Sequence, residues 1–238
     1  MSVGRMSDLV RGWRTMAHVR GCKVRRMAAL GGVAVWLVAC ANPLATPRSS
    51  VSRVDASPEL RPGDRWVYEW KSGSESGTKT VEIVEIKEVN TVQFYVARVG
   101  DADQYYTLDL RWAASVRDSK VESRMVPPQP WFVWPLEVGR RWTHRGTFEE
   151  LEKKTQHNDS FAVVAVETVE VPAGRFQTLK VIRETDRRDT DIYWYAPEVR
   201  WYVKWIGRRS ELQFEEQLRE YLPAPRLTRR PALSVGQQ

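Results

Sequence analysis

The chain has 238 residues, 42% of them hydrophobic, with a formal net charge of +7 and a pI near 9.5. Seven basic residues (Arg5, Arg11, Arg14, Arg20, Lys23, Arg25 and Arg26) stand against Asp8 in residues 1–39, a net of +6, so residues 40–238 carry only +1. Charges of both signs are mixed over that remainder, which argues against a basic groove for nucleic acid, and two cysteines, Cys22 and Cys40, are too few for a disulfide framework.

In chain order, the first feature is an uncharged apolar run of 13 residues from Met27 to Ala39. A spanning helix needs roughly 20 apolar residues. The run has the length of a signal-peptide core, and Arg20, Lys23, Arg25 and Arg26 supply the positive flank before it. Leu37-Val38-Ala39-Cys40 resembles the lipobox of bacterial lipoproteins. That resemblance implies a diacylglyceryl group on the Cys40 sulfur, cleavage before Cys40 and acylation of the new amino group. Only a thiol is nucleophilic enough to take the lipid as a thioether. Residues 1–39 are then the signal peptide, and Met16, which would give a 24-residue leader, is the expected start. The implied location is the cell envelope, lipid-anchored and facing the periplasm. Ala41 rather than Asp after Cys40 favours the outer membrane over the inner, by analogy with enteric bacteria.

Residues 40–58 are rich in Ser, Pro and Ala and read as a flexible tether. Residues 223–238 read as a disordered tail. Between them, 59–222 reads as one folded domain, long enough for a core without staples.

That domain contains a repeat. LRPGDRW at 60–66 and LEVGRRW at 136–142 share Leu, Gly, Arg and Trp at matching positions. Each is followed by short runs rich in Val, Ile, Thr and aromatics, such as Val92, Phe94, Val96 and Val199, Trp201, Val203, Trp205. Period-2 alternation between turn residues predicts antiparallel strands. The expected fold is mainly β: an antiparallel meander of two tandem similar halves, 60–126 and 136–222. Its nine to eleven strands would form a strongly twisted sheet or half-open barrel. Turns are expected at Gly73–Gly77, Gly100–Asp103, Asp186–Asp189 and in VPAGRF, where Pro172 and Gly174 suit a tight hairpin. Phe214, Leu218, Tyr221 and Leu222 fit a short helix or a strand.

Several short motifs follow one another in order: Gly63, Trp66 and Tyr68; then Pro135, Leu136, Gly139 and Trp142; then Val171-Pro172-Ala173-Gly174-x-Phe176; then Trp194-Tyr195-Ala196-Pro197. Together they resemble a broad set of uncharacterised bacterial envelope proteins, many of them lipoproteins. The resemblance spans roughly 62–206 and implies a twisted antiparallel sheet and no known activity. The usual motif continues Ala-Pro-Gly-Val, whereas Glu198 stands at the glycine position here.

Catalytic motifs are wanting. His144 and His157 are not at a metal-ligand spacing. There is no Gly-x-Ser-x-Gly elbow, no phosphate-binding loop and no dinucleotide fingerprint. Asp101 with Asp103, and Asp189 with Asp191, fall in expected turns, where Asp bonds its own backbone. No catalytic, cofactor or metal residue is therefore assigned, and the chain reads as a non-enzyme.

Nine tryptophans lie after residue 40, and most read as core. The exception is PPQPWFVWPL at 127–136, between the halves. Trp131, Phe132 and Trp134 there are the candidate ligand or partner surface. If the segment is extended, Trp131 and Trp134, three apart, face opposite ways. Two functions fit: a binding module holding an acyl ligand or other envelope component, or a structural lipoprotein that docks to another envelope protein without a small-molecule pocket.

Overall fold

The computed structural model describes residues 51–210 and 212–225. The expected signal peptide, Cys40 and the rest of residues 1–50, residue 211 and residues 226–238 lie outside the described residues.

The first half comprises β1 (Arg53–Val54), β2 (Arg65–Ser72), β3 (Glu75–Val89), β4 (Val92–Val99), β5 (Ala102–Thr107), β6 (Arg111–Arg117) and β7 (Lys120–Pro130). The second comprises β8 (Leu136–Glu137), β9 (Arg141–Glu150), β10 (Lys153–Val171), β11 (Gly174–Thr185), β12 (Thr190–Ala196), a 3-10 turn at Pro197–Val199, β13 (Trp201–Arg209) and β14 (Leu212–Leu222). The mainly β, antiparallel class expected from the alternation is what the chain forms. The sheet goes further than a half-open barrel. Twelve strands close on themselves, β2 to β7 followed by β9 to β14. One seam pairs β7 with β9 over Ser123–Val126, and the other pairs β14 with β2 over Phe214–Leu222. The strand count exceeds the nine to eleven expected because the runs at 104–116 and 191–207 each contain a turn and form two strands, β5 with β6 and β12 with β13. The ambiguous segment around Leu218 is strand β14, held on both sides by β13 and β2.

The LxxGxRW repeat is a structural duplication. Gly63 and Gly139 both take positive φ, 95° and 92°, a conformation that favours glycine. Gly63 N–H donates to the Ile83 carbonyl and Gly139 N–H to the Val163 carbonyl, at 2.7 and 2.9 Å. Ile83 and Val163 return bonds to the carbonyls of Asp64 and Arg140, both at 2.9 Å. Each of those strands then carries a bulge at the same place, between Ile83 and Glu85 and between Val163 and Ala165. Leu60 and Leu136, which open the two motifs, are both buried.

The strand directions sort the connections. The turns after β2, β4, β6, β9, β11 and β13 lie at one end of the barrel, the turn end. The other end, the crossing end, holds the hairpin tips at 90–91 and 172–173, the segments 108–110, 131–135 and 197–200, and both ends of the described chain. Part of the stretch read as tether is structured there. Arg53 and Val54 pair with Glu137 and Leu136, and Ser57 Oγ donates to the Leu108 carbonyl at 2.9 Å. Past the last strand, Ala224 N–H donates to Asp64 Oδ1 at 2.8 Å.

Candidate functional site

Residues 131–135 leave the sheet where the prolines at 127, 128, 130 and 135 withhold the donors a ladder needs. The segment bends rather than running extended. Trp131 stacks on Tyr193 at 5.7 Å and meets Tyr106 edge-on at 5.6 Å. Phe132, 1% exposed, lies 5.0 Å from the Tyr195 ring, and Trp134 meets the same ring at 5.4 Å. The two indole N–H groups donate to Gln129 Oε1 at 3.1 Å and to the Asp109 carbonyl at 3.4 Å. The expectation that Trp131 and Trp134 face opposite ways is corrected: both half-buried rings gather with Phe132 on one row of β12 tyrosines. Alternation holds only for an extended chain, and this one is bent.

Behind this segment the lumen holds rings. Trp201 touches Tyr106 at 5.3 Å and Trp66 at 5.9 Å, and Trp66 stacks on Tyr221 at 5.5 Å. Tyr202 continues the series to Tyr193 at 6.0 Å and Tyr68 at 5.0 Å. Their polar ends are bonded: Trp66 Nε1 donates to the Val199 carbonyl and the Tyr68 hydroxyl to the Tyr202 carbonyl, both at 2.8 Å.

Two buried charged groups share this interior, and neither was found in the sequence. Lys79 Nζ donates to both Glu216 oxygens, and the Tyr202 hydroxyl donates to Glu216 Oε2 at 2.8 Å. Burial lowers the Lys79 pKa against the opposing pull of Glu216. Burial, with the Glu216 charge, raises the Tyr68 and Tyr202 hydroxyls well above the usual phenol range. Nearer the turn end, Arg183 bridges Asp191 at 2.7 Å and Asp159 at 3.0 Å. Arg209 joins Asp191 at 2.7 Å, and Gln129 donates to Asp159 at 2.5 Å. A sequence signal existed: Lys79 shares the period-2 phase of buried Val81 and Ile83, and Asp159 that of buried Phe161 and Val163.

The histidines flank the second cluster. His144 Nδ1 lies 3.7 Å from Asp159 Oδ2, while its Nε2 meets the Pro127 carbonyl at 3.0 Å. With Nε2–H committed to that carbonyl, the ring cannot take a proton from a hydroxyl there. Gly146 makes room for it, since a Cβ at 146 would stand 2.6 Å from His144 Cε1. Among the described residues no group of three or more His, Cys, Asp or Glu is placed to hold a metal.

These groups tie stability to pH. Burial lowers the His157 pKa from 6.5, so the folded state disfavours its cation. The carboxyl of Asp159 is penalised by burial, but His144, Arg183 and Gln129 outweigh that and hold it below 3.8. In both cases the unfolded chain binds the proton more readily, so stability is complete above the unfolded pKa and falls as pH drops. The loss should begin below 6.5 through His157 and deepen below 3.8 through Asp159. Melting temperatures across this range would check it, with His157→Gln flattening only the upper part.

No protein-family model and no curated protein matches the chain. Among solved structures, it is similar to a candidate lipoprotein from Parabacteroides distasonis, with 12% identity, a TM-score of 0.40, and coverage of 71% of this chain and 97% of that one. A candidate exported protein with a YmcC-like fold from Bacteroides fragilis gives 15%, 0.42, 71% and 100%. The hypothetical lipoprotein YmcC from Escherichia coli K12 gives 9%, 0.34, 68% and 85%. Likenesses this distant say nothing about what the chain binds.

Proposed function

We propose that this chain is a lipid-anchored, non-catalytic protein of the bacterial cell envelope that works by docking its surface to another envelope component. The contacts among the interior rings support this. Trp66, Trp131 and Trp201, which would line a cavity for an apolar ligand, instead touch one another or their tyrosine neighbours. The same interior also holds ion pairs whose carboxylates, Glu216, Asp159 and Asp191, have side chains 0% exposed. An acyl chain would have to displace rings already bonded at their polar ends. The anchoring itself rests on the Leu37–Cys40 lipobox, and the outer membrane on Ala41.

Two measurements test this reading. Cys40→Ser removes the thiol and should leave a chain neither carrying a diacylglyceryl mass nor cut before residue 40. Intact-mass analysis reads this directly, and lipidation of the variant would refute the anchor. Native mass spectrometry of protein released from its own membrane should show a protein partner or none. A stoichiometric acyl-sized adduct would instead establish the chain as a ligand carrier.

A further inference from the structure

The two halves are duplicates, yet their long hairpins behave differently. The β10–β11 tip folds back on the barrel, where Ala173 N–H donates to the Leu218 carbonyl at 2.9 Å. The β3–β4 hairpin instead projects past its neighbouring strands, with Lys87 reaching the Tyr105 hydroxyl of β5. Its last β2 partner is at Glu82 and its last β5 partner at Phe94, and residues 85–93 are all exposed. Val89 pairs with Val92, and Lys87 with Phe94, so Lys87, Val89, Val92 and Phe94 share one face of this arm, while Ile86, opposite Tyr95, lies on the other. Ile86, Val89 and Val92 are 46%, 39% and 47% exposed. Exposed aliphatic side chains gathered near the end of a projecting arm mark a candidate contact.

The chain's own geometry names its counterpart. Val51 N–H donates to Gln177 Oε1 at 2.6 Å, so the chain joins the barrel at the crossing end, the end from which the β3–β4 arm projects. Ten residues, 41–50, separate Val51 from Cys40. A coil of that length averages about 17 Å end to end. The barrel wall is taller: the ten residues of β9 rise about 25 Å once strand tilt is allowed for. A short link to a lipidated Cys40 thus favours the crossing end toward the bilayer.

We propose that the β3–β4 tip, centred on Val89 and Val92, is a second membrane contact that inserts into the headgroup region of the same leaflet that holds the Cys40 lipid. This rests on the anchor reading above. Glu85, Lys87 and Glu88 near the tip form no basic cluster, so the contact is apolar rather than electrostatic. Two valines, with Ile86 on the arm's other face, bind a bilayer weakly when free in solution. Tethering raises their effective concentration to roughly millimolar, where a weak contact is populated.

The mature lipoprotein offers a clean test. Cys22 leaves with the leader and Cys40 is a thioether, so a Val89→Cys or Ser119→Cys substitution adds the single free thiol. Each variant is labelled with an environment-sensitive dye and reconstituted in phosphatidylethanolamine–phosphatidylglycerol vesicles containing a spin-labelled phospholipid. The dye at 89 should lose most of its fluorescence to the lipid quencher, whereas the dye at 119, in a turn-end hairpin, should lose it only to aqueous iodide. Adding Val92→Asp should restore the signal at 89. A protein retained on vesicles with both dyes open to iodide would overturn the inference and leave the anchor standing. Shielding at 89 from both quenchers would assign the tip to a protein partner, also against the inference. A protein that fails to stay on the vesicles would refute the anchor reading itself, and this inference with it.

Discussion

Replacing Lys79 by Met should cost about 3–5 kcal/mol, the loss expected when one member of a buried ion pair is removed and the other stays charged. Glu216 has no exposed surface, and its remaining bond is from the Tyr202 hydroxyl at 2.8 Å. The double variant Lys79→Met, Glu216→Leu removes both charges and fills similar volume. It should recover most of the loss and be near-neutral relative to the parent. Urea unfolding of the parent, Lys79→Met, Glu216→Leu and the double variant gives the coupling directly. Equal stability of the single and double variants would show that Glu216 takes a proton or reaches water when Lys79 is gone.

Phe132→Ala should be similarly damaging, at about 3–5 kcal/mol for a buried phenyl group truncated to a methyl. The ring is 1% exposed and sits among Trp134, Tyr193 and Tyr195, so its loss opens a void that the bent segment cannot close. Trp131→Ala and Trp134→Ala, at half-buried positions, should each cost more than the 0.5 kcal/mol typical of a surface change. Thermal melting checks all three. A double Trp131→Ala, Trp134→Ala protein that melts with the parent would return these residues to the status of a free docking surface.

The fold was legible where the physics is local. Alternating Val, Ile and aromatic residues marked the strands, and VPAG marked a turn that closes with Val171 opposite Gly174. The matching glycines at 63 and 139 marked a duplication because each position needs a positive φ. Closure was not legible, since no local pattern says that Trp66 will pair with Tyr221. The interior charges were missed for a different reason. Lys79 and Glu216 carry the composition of a solvated face, and only their phase against Val81 and Leu218 places them inside. The orientation of Trp131 and Trp134 was misread because the prolines around them suggested an extended chain, whereas they release the segment from the sheet and let it bend.

The seam between β2 and β14 bears on how the molecule is made. Its two strands come from opposite ends of the folded sequence, and Arg65 lies opposite Leu222. No partner for the outer edge of β2 exists until the last strand has been synthesised. Until then the chain is an open ribbon with a bare edge, and contacts so distant in sequence form slowly. A slow closing step makes the interval before closure the time when that edge most needs shielding from other chains.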